Sequence, residues 1–523
     1  MNFNSIPFLF FFLALLLAYR LIPDRHKWKL ILVFSLLFYA CSGWEKLLFV
    51  LGTSVVVYGA AGKMGSVYQE YEKRCREEAL SPGERGKLLP EYKRRCRRIL
   101  TAVLFVCVGI LIYCKFAGKL IYAITDAVGT PKSVSIIVPL GISYYTFSSV
   151  GYLLDIYWRK IRPEPAFSKI LLCMTYFPHI VQGPISRYNR LLSQLPDLSF
   201  PDYERLCMGL QLMLWGYFKK MVVADRLNLF INDVFGDIGS NEGLIFVIVL
   251  IFCVFQLYAD FSGCMDIVTG ISDILGIQLD RNFNHPFFSR SAAEFWRRWH
   301  ITLGTWFKDY IYLPMATAPG TIRFSQIVKN RFGSRAGKNA ATVLCLGTVW
   351  LLTGIWHGTG WNYVIWGLYF GVLISCSTVF ADQYKKLCLL FRIDTESGCW
   401  KAVQVLRTFC LFAIGRLITA PETLKDSAAV VQQMFSSFNP WIFWDGSLYT
   451  HGLNQRNFLL AVLSILLLLY VDRLQERIKI RETIARQNIF LRWSIYYIGI
   501  FAVLILGIYG PGYDASSFVY ANF

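Results

Sequence analysis

Long apolar runs recur along the entire chain and are separated by short charged connections. A helix needs about 20 predominantly apolar residues to cross the hydrocarbon core of a bilayer, so the shorter runs are expected to be tilted or re-entrant. The candidate runs are residues 6–21, 30–39, 47–61, 99–117, 134–157, 170–181, 206–223, 244–277, 340–356, 361–381, 403–418, 458–471 and 495–509. This pattern predicts an all-α polytopic membrane protein with about 10 to 13 transmembrane or re-entrant helices.

The charged residues indicate how these helices are oriented. Only 17% of the residues are charged and the net charge is +19, whereas a soluble domain carries about 25% charged residues. Lys and Arg concentrate in residues 20–29, 63–98 and 281–338, so membrane topology explains the positive charge and no nucleic-acid partner is expected. The positive-inside rule predicts that these connections and their interfacial helices face the cytoplasm, with the N-terminus outside the plasma or inner membrane.

The sequence gives no sign of division into separate domains. No internal repeat is evident, which predicts one membrane domain over residues 1–523, with a motif-bearing core over residues 135–385 and further helices over residues 400–523. The first apolar run lacks a cleavage signature, so we expect a retained helix. The 14 cysteines include no C-x-x-C pair, and we predict apolar core cysteines and no metal site.

His357 lies at the end of an apolar run, in the sequence TGIWHGTGWNYVIWG. An ionisable side chain at membrane depth is unfavourable, so it is a functional hypothesis by default. Gly358 and Gly360 permit a sharp break between two helices, where a histidine can line a cavity without facing lipid. The alternative is a histidine that only joins two helices by a hydrogen bond. We favour proton transfer, because a neutral imidazole can accept a proton from a hydroxyl.

His300 lies in residues 294–313, EFWRRWHITLGTWFKDYIYL. The spacing predicts one amphipathic helix in the membrane interface, with Trp296, Trp299 and His300 on its aromatic side. The charged side then faces water and the imidazole points inward. The alternative is a core histidine that is bonded to a backbone carbonyl.

Polar side chains also interrupt the apolar run at residues 256–276, which contain Asp260, Ser262, Asp266 and Asp273. Carboxylates at membrane depth can form a proton path, which is typical of a transporter. We favour the other interpretation, that they hold the backbone of a broken helix.

The chain resembles, at these residues, the membrane-bound O-acyltransferases, specifically the bacterial branch typified by alginate O-acetyltransferases. The resembling blocks are PLGISYYTFSSVGYLLDIYWR, FPHIVQGPISRY, GYFKKMVVADRLN, YADFSGCMDIVTGISDILG, FNHPFFSRSAAEFWRRWHITLGTWFKDYIYLP, GIWHGTGWNYVIWG and GYDASSFVYANF. They follow one another in the family's order, and the blocks around His300 and His357 are the most specific. The branch usually has phenylalanine before arginine where this chain has Gly415 and Arg416.

The resemblance implies a ring of membrane helices around a thin centre, with a central tunnel that carries two active-site histidines. The catalytic family histidine falls on His357 and the second one on His300. The remaining residues that are expected to line the tunnel or bind substrate are Trp296, Trp299, Trp356, Tyr258, Asp260 and Ser262.

The resemblance further implies an O-acetyltransferase that binds no metal or other cofactor and uses acetyl-CoA, or another acyl thioester, as donor substrate. The donor is expected to enter from the cytoplasm near His300, and His357 acts as general base or orients the thioester. The basic residues Arg297, Arg298, Arg331 and Arg335 are expected to attract the phosphates of coenzyme A or an acidic carrier protein. Membrane topology alone explains these charges equally well.

Members of this branch pass the acyl group to a partner outside the membrane. The resemblance therefore implies an extracytoplasmic SGNH- or GDSL-like protein, membrane lipid around the chain and O-acetylation of an extracellular or cell-wall polysaccharide. The resemblance does not identify the acceptor polymer. The alternatives are D-alanyl transfer from a carrier protein to teichoic acid, a secondary transporter that couples through Asp260, Asp266 and Asp273, and a scaffold for polysaccharide export.

Overall fold

The structure, a computed structural model, describes residues 2–130, 132 and 134–509. Within these residues it is helical, and the extended backbone pairs only in an isolated antiparallel bridge between Phe283 and Trp299. Eight of the described helices are long and apolar enough to cross a membrane. Numbered α1 to α8, they are Trp44–Glu77, Pro82–Ala127, Leu244–Leu275, Ser334–His357, Trp361–Val379, Gly398–Thr419, Gln455–Gln475 and Ile489–Leu506. These helices confirm the prediction of an all-α polytopic membrane protein.

The remaining predicted runs form shorter helices. A helix of 16 residues, such as Ile6–Leu21, is about 24 Å long, whereas the hydrocarbon core is about 30 Å thick. The shorter α-helices are Ile6–Leu21, Lys27–Ala40, Ile142–Tyr157, Phe167–Thr175, Phe177–Ile180, Tyr188–Gln194, Tyr203–Tyr217, Asp225–Gly236, Ala292–Arg298, Ile301–Phe307, Leu313–Ala316, Pro319–Phe332, Ala381–Leu390, Leu424–Met434 and Ile480–Ala485. Two π-helical segments, Phe218–Ala224 and Lys308–Tyr312, continue helices on either side.

The contacts of the described residues form two compact units. The first contains residues 2–209 and 268–280, and the second contains residues 210–267 and 281–509. His300 and His357 both belong to the second unit, so their surroundings are described within it. A single domain over the whole chain remains a prediction, and the C-terminal block at residues 512–523 lies outside the described residues.

In the first unit, a close backbone contact fixes the turn that follows Phe177–Ile180. Gly141 has a φ of +65°, and a Cβ there would lie 2.0 Å from the carbonyl oxygen of Ile180. Only glycine fits this position. His179 is buried and its Nε2 lies 3.2 Å from the carbonyl oxygen of Cys173, which is a structural contact.

The broken helix predicted over residues 244–277 is wrong, because α3 is continuous over 32 residues. Two of its three carboxylates, Asp260 and Asp266, are matched by lysines on the segment Phe218–Ala224. Lys220 Nζ lies 2.6 Å from Asp260 Oδ1, and Lys219 Nζ lies 2.7 Å from Asp266 Oδ2. A lysine from a neighbouring segment satisfies the buried Asp260 and the half-buried Asp266, so these carboxylates do not require a break in the backbone of α3.

The single helix predicted over residues 294–313 is also wrong. The chain forms Ala292–Arg298 and Ile301–Phe307, and between them His300 has a φ of +47°. This left-handed conformation is uncommon for residues other than glycine. The predicted sidedness is confirmed in part, because Trp296 on the predicted inner face and Glu294, Arg298 and Asp309 on the predicted outer face are half-buried. The inner face contains the buried residues Trp299, His300, Leu303, Phe307 and Tyr310. On the outer face Arg297, Thr305 and Lys308 are exposed.

Candidate active site

A close crossing of α4 and α5 places His357. His357 is the last residue of α4, Gly358 has extended backbone, and α5 begins at Trp361. A Cβ on Gly354 would lie 2.4 Å from the carbonyl oxygen of Tyr363, so the two backbones touch only because glycine stands there. The break predicted at the glycines after His357 is therefore confirmed. The imidazole is buried, with 7% of its surface exposed.

A short antiparallel pairing places His300. Asn284 N donates to the carbonyl oxygen of Arg298 at 2.8 Å, and Ile301 N donates to the carbonyl oxygen of Asn282 at 3.0 Å. These bonds bind residues 298–301 to residues 282–284 and interrupt the helical hydrogen bonding between Arg298 and Ile301. The His300 side chain is thereby held in the core of the second unit, where its ring lies 4.9 Å from that of Phe261.

Asn282 determines which nitrogen of His300 carries the proton. Its Oδ1 lies 3.1 Å from Thr302 N, 2.9 Å from Thr302 Oγ1 and 3.2 Å from His300 Nδ1. A backbone N–H only donates, so the atom that faces all three groups is the amide oxygen, an acceptor. His300 Nδ1 therefore donates its hydrogen to Asn282. In the neutral ring Nε2 then carries the lone pair, and this buried atom has no hydrogen-bond partner among the described residues.

Burial keeps His300 neutral. The side chain is only 3% exposed, and desolvation lowers the pKa of its imidazole to about 3. Removing water disfavours the charged form of a histidine. At neutral pH the ring therefore presents Nε2 as a hydrogen-bond and proton acceptor and not as a donor.

The lowered pKa predicts a loss of stability in acid. Between about pH 6.5, the pKa of an unfolded histidine, and about pH 3, the unfolded chain binds more protons at this residue than the folded chain. The free energy of unfolding therefore decreases as the pH falls below about 6.5. We expect proton binding to His300 in the unfolded chain to lower the free energy of unfolding by about 2 kcal/mol at pH 5, relative to neutral pH. Thermal unfolding in detergent at pH 5 to 8 should show a weaker pH dependence in His300→Gln than in the wild type, and equal slopes would contradict the assignment.

Trp356 connects the two candidate histidines. The centroid of its ring lies 4.7 Å from that of His357 and 6.2 Å from that of His300. On the other side, the ring of Trp366 lies 5.0 Å from that of His357. The structure thus brings His300, His357 and Trp356 together, as the sequence predicts.

An aromatic wall extends from these residues and consists of Trp296, Trp350, Trp366, Phe370 and Phe412. The ring of Trp296 lies 4.8 Å from those of Trp350 and Phe370 and 5.6 Å from that of Trp366. Packed aromatic rings form a rigid apolar surface from which water is excluded. Such a surface is better suited to contact an apolar acyl group than a charged group.

Gly415 on α6 lies against this wall. A Cβ there would lie 2.6 Å from two ring carbons of Phe370 and 3.6 Å from Trp366 Nε1. The Phe370 ring occupies the space that a side chain at residue 415 would need, which accounts locally for the departure from the phenylalanine that is usual in the branch.

Substituting Gly415 is expected to disturb the wall. Gly415→Ala must displace Phe370, which is 1% exposed, and overpacking of a buried site costs about 1 to 3 kcal/mol. We expect a lower thermal midpoint than in Gly398→Ala, which adds a methyl group to the same helix where nothing lies within 4 Å. Equal thermal midpoints of Gly415→Ala and Gly398→Ala would show that the Phe370 ring moves aside without loss of stability.

The other residues predicted to line the tunnel all lie in the second unit, and two of them, Tyr258 and Asp260, are bonded there. Tyr258 Oη lies 2.6 Å from Asp472 Oδ2, and Asp260 pairs with Lys220. The ring of Trp299 lies 5.1 Å from that of Phe412, at the edge of the aromatic wall. Ser262 Oγ is buried and has no hydrogen-bond partner among the described residues.

The four basic residues predicted on the donor side differ in their availability. Arg298 forms ion pairs with Glu294 at 2.7 Å and with Glu476 at 3.1 Å. Arg335 is exposed and pairs with Asp382 at 2.7 Å. Arg297 and Arg331 are exposed, so these two are the better placed to meet an anionic donor.

The sequence reasoning missed Asn282, Trp350 and Trp366. Asn282 lies 18 residues before His300, immediately before the block FNHPFF, and its polar side chain before a buried segment was the available signal. Trp350 on α4 contacts Trp296. Trp366 on α5 contacts both His357 and Trp296. Their spacing along the helices was visible, but the partner across the crossing was not.

The chain is similar to known membrane-bound acyltransferases. The MBOAT, membrane-bound O-acyltransferase family, matches residues 159–324, a region that contains His300. A probable alginate O-acetylase of Azotobacter vinelandii is 28% identical over 90% of this chain and 84% of its own length. A peptidoglycan O-acetyltransferase of Helicobacter pylori is 29% identical over 49% of this chain and 50% of its own. A teichoic acid D-alanyltransferase of Bacillus subtilis is 30% identical over 47% of this chain and 60% of its own.

The family match includes His300 and ends before His357, and the alginate O-acetylase similarity extends over most of the chain. The eight apolar helices agree with a multi-pass membrane protein. Residues 159–324 match the family model of the membrane-bound O-acyltransferases, and the chain is an acyltransferase.

Proposed function

We propose that this chain transfers an acetyl group from a cytoplasmic thioester, acetyl-CoA, to a hydroxyl on the other side of the membrane, for O-acetylation of an extracellular or cell-wall polysaccharide. The observation that carries the proposal is the adjacency of His300 and His357 to one indole, that of Trp356. The similarity to alginate and peptidoglycan O-acetyltransferases supports acetyl as the group transferred.

His357 acts as the general base in this mechanism. It takes the proton from the acceptor hydroxyl while the hydroxyl oxygen attacks the carbonyl carbon of the thioester. The new carbon–oxygen bond forms, the carbon–sulfur bond breaks, and the departing thiolate receives the proton from the imidazolium. The products are an acetyl ester and a free thiol, and no metal or redox group takes part.

His300 orients the donor. Its Nε2 is unprotonated and points away from Asn282, so it accepts a hydrogen bond from an amide N–H of the thioester arm. Because this nitrogen carries no hydrogen, it does not stabilise the developing oxyanion. The two imidazoles therefore have different tasks, which binding and chemistry measurements can separate.

Entry of substrates requires side chains to move. His357 exposes 7% of its surface and His300 exposes 3%, which is too little for a thioester to reach either ring. The indoles of Trp356 and Trp366 cover His357, so their rotation opens the site. Closure afterwards excludes water and protects the thioester from hydrolysis.

The charges support a direction of transfer. The positive-inside rule favours a cytoplasmic location for the basic residues of 281–338 and an N-terminus outside. Exposed Arg297 and Arg331 lie in this region and attract the phosphates of coenzyme A. The acceptor side is then extracytoplasmic, where an SGNH- or GDSL-like protein receives the acetyl group or presents the polysaccharide.

D-alanyl transfer is the second candidate, because the chain is 30% identical to a teichoic acid D-alanyltransferase over 47% of its length. A transporter that couples through the carboxylates of α3 is less well supported, since Asp260 and Asp266 are occupied by Lys220 and Lys219. A passive export scaffold gives no reason to keep a neutral histidine with a free buried nitrogen.

Donor competition tests the function. Native membrane vesicles that retain the extracytoplasmic partner are given radiolabelled acetyl-CoA or a radiolabelled D-alanyl carrier protein, together with extracted cell-wall polysaccharide. The proposal expects alkali-labile label on the polysaccharide from acetyl-CoA alone. Label from the carrier protein alone would replace acetyl by D-alanyl transfer, and label from neither donor would discard the acyltransfer proposed for this chain.

A further inference from the structure

The backbone pair that holds His300 is too short to be stable by itself. It consists of two segments, residues 282–284 and 298–301, which are joined by backbone hydrogen bonds and an isolated antiparallel bridge. Even a complete two-stranded hairpin is only marginally stable on its own. The left-handed backbone of His300, with a φ of +47°, adds strain. The position of the imidazole therefore depends on contacts from outside the pair.

Asp472 on α7 contacts the end of the first segment. Its carboxylate is buried, with 2% of the residue exposed, and its Oδ2 accepts a hydrogen bond from Tyr258 Oη at 2.6 Å. Its Oδ1 lies 3.6 Å from Nδ1 of His285, the residue that follows the first segment. His285 is also buried and, like His300, has a left-handed backbone with a φ of +47°. A carboxylate of α7 therefore lies against the imidazole that ends the first segment.

The protonation of His285 suits this contact. Arg281 Nη2 lies 3.1 Å from His285 Nε2, and a guanidinium only donates hydrogen bonds. Nε2 is therefore the acceptor, and the hydrogen of the neutral ring is on Nδ1, the nitrogen that lies 3.6 Å from Asp472. This separation is longer than a hydrogen bond, but in a buried site the N–H group and the carboxylate still attract each other.

Glu476 contacts the second segment one helical turn further along the chain. It is the residue after α7 and retains a helical backbone. Its Oε1 lies 3.1 Å from Nη1 of Arg298, the first residue of the second segment. The same Nη1 lies 3.4 Å from the carbonyl oxygen of His285, so Arg298 also joins the two segments. Residues four apart lie on one face of a helix, and Asp472 and Glu476 therefore hold both segments from the same face.

We propose that Asp472 and Glu476 are positioning residues that hold the backbone pair, and with it the imidazole of His300, in place for donor binding. The consequence for catalysis rests on the proposed function, in which Nε2 of His300 accepts a hydrogen bond from the thioester arm. Both carboxylates act through the backbone pair and not on the donor itself. Their loss should therefore weaken donor binding more than the proton transfer at His357.

Hydrogen exchange of the intact protein in phosphatidylcholine nanodiscs, measured by mass spectrometry, tests the positioning. Asp472→Leu and Glu476→Gln should raise the exchange rate of the amides of residues 282–301 about 10-fold or more, as the loss of a bond to a charged group predicts. Asp472→Asn should retain part of the protection, because its amide oxygen still accepts a hydrogen bond from Tyr258.

Reaction with diethyl pyrocarbonate, which modifies imidazoles, gives a second measure. His300 should be labelled faster in Asp472→Leu and Glu476→Gln than in the wild type. The matched control is Leu468→Ala, which truncates a buried side chain one turn earlier on α7. It should lower the thermal midpoint and leave exchange of residues 282–301 and labelling of His300 unchanged. Wild-type exchange and labelling in both carboxylate variants, or equal increases in the control, would overturn the proposal.

Kinetics in native membrane vesicles test the consequence for donor binding. The KM for acetyl-CoA should rise about 10-fold in Asp472→Leu, whereas kcat changes much less. A lower kcat with an unchanged KM would overturn the role in donor binding. Exchange and labelling need no acetyl transfer, so faster exchange and labelling in variants of a protein that transfers no acetyl group would reject the proposed function and still support the positioning of His300.

Discussion

Replacing His357 by alanine is expected to reduce acyl transfer by about 100- to 10,000-fold, the contribution of a positioned general base. The histidine ends α4 at the glycine-lined crossing with α5, and its ring touches Trp356 and Trp366. In the alanine variant no imidazole nitrogen remains at residue 357 to accept the proton. The acceptor hydroxyl then attacks the thioester without losing its proton to the enzyme.

Folding has to be separated from chemistry in this experiment. Truncation of a buried ring leaves a cavity, so His357→Gln, which keeps most of the volume and the polarity, accompanies His357→Ala. His451→Ala is the control histidine, because His451 pairs with Asp233 at 3.1 Å away from the aromatic wall. Mass analysis of O-acyl groups on surface polymers should show them lost in both His357 variants and kept in the control. Unchanged O-acylation in well-expressed His357→Gln would remove His357 from the mechanism.

Asn282→Leu is the second substitution that we expect to have a large effect on the rate of acyl transfer. The substitution removes the acceptor for His300 Nδ1, so the ring is free to place its hydrogen on either nitrogen. It also leaves the Thr302 N–H and hydroxyl without their partner, at about 1 to 3 kcal/mol for each buried group. We expect the rate of transfer to fall about 10- to 100-fold, with a lower thermal midpoint.

Asn282→Asp distinguishes tautomer control from simple damage. A carboxylate still accepts from Nδ1, so the wild-type tautomer is kept, but its negative charge raises the pKa of His300. We expect Asn282→Asp to be more active than Asn282→Leu at neutral pH and to lose activity as the pH falls. Asn330→Leu, at an exposed asparagine, serves as control. Equal activities and pH profiles for the leucine and aspartate variants would contradict the role given to Asn282.

The sequence was sufficient wherever the signal is local. The glycines after His357 predict the break between α4 and α5, and the spacing of aromatic residues predicts which side of residues 294–313 is buried. Both follow from short-range periodicity and backbone freedom. The membrane class follows in the same way from the apolar runs.

The sequence was insufficient wherever a distant partner decides. Periodicity gives no sign of the left-handed His300, because residues 282–284 impose it through hydrogen bonds. The pairing of Asp260 with Lys220 spans 40 residues, so α3 was expected to break where it is in fact continuous. Asn282 acquires its importance only when the fold brings it to the imidazole of His300.

Label transfer across sealed membrane vesicles tests the central claim most directly. Inside-out vesicles receive radiolabelled acetyl-CoA on the outside, which is the cytoplasmic face, and carry acidic polysaccharide in the lumen. We predict alkali-labile label on the luminal polymer in vesicles with the wild-type protein and about 100-fold less or none with His357→Gln. Luminal label that is unaffected by His357→Gln would contradict the account.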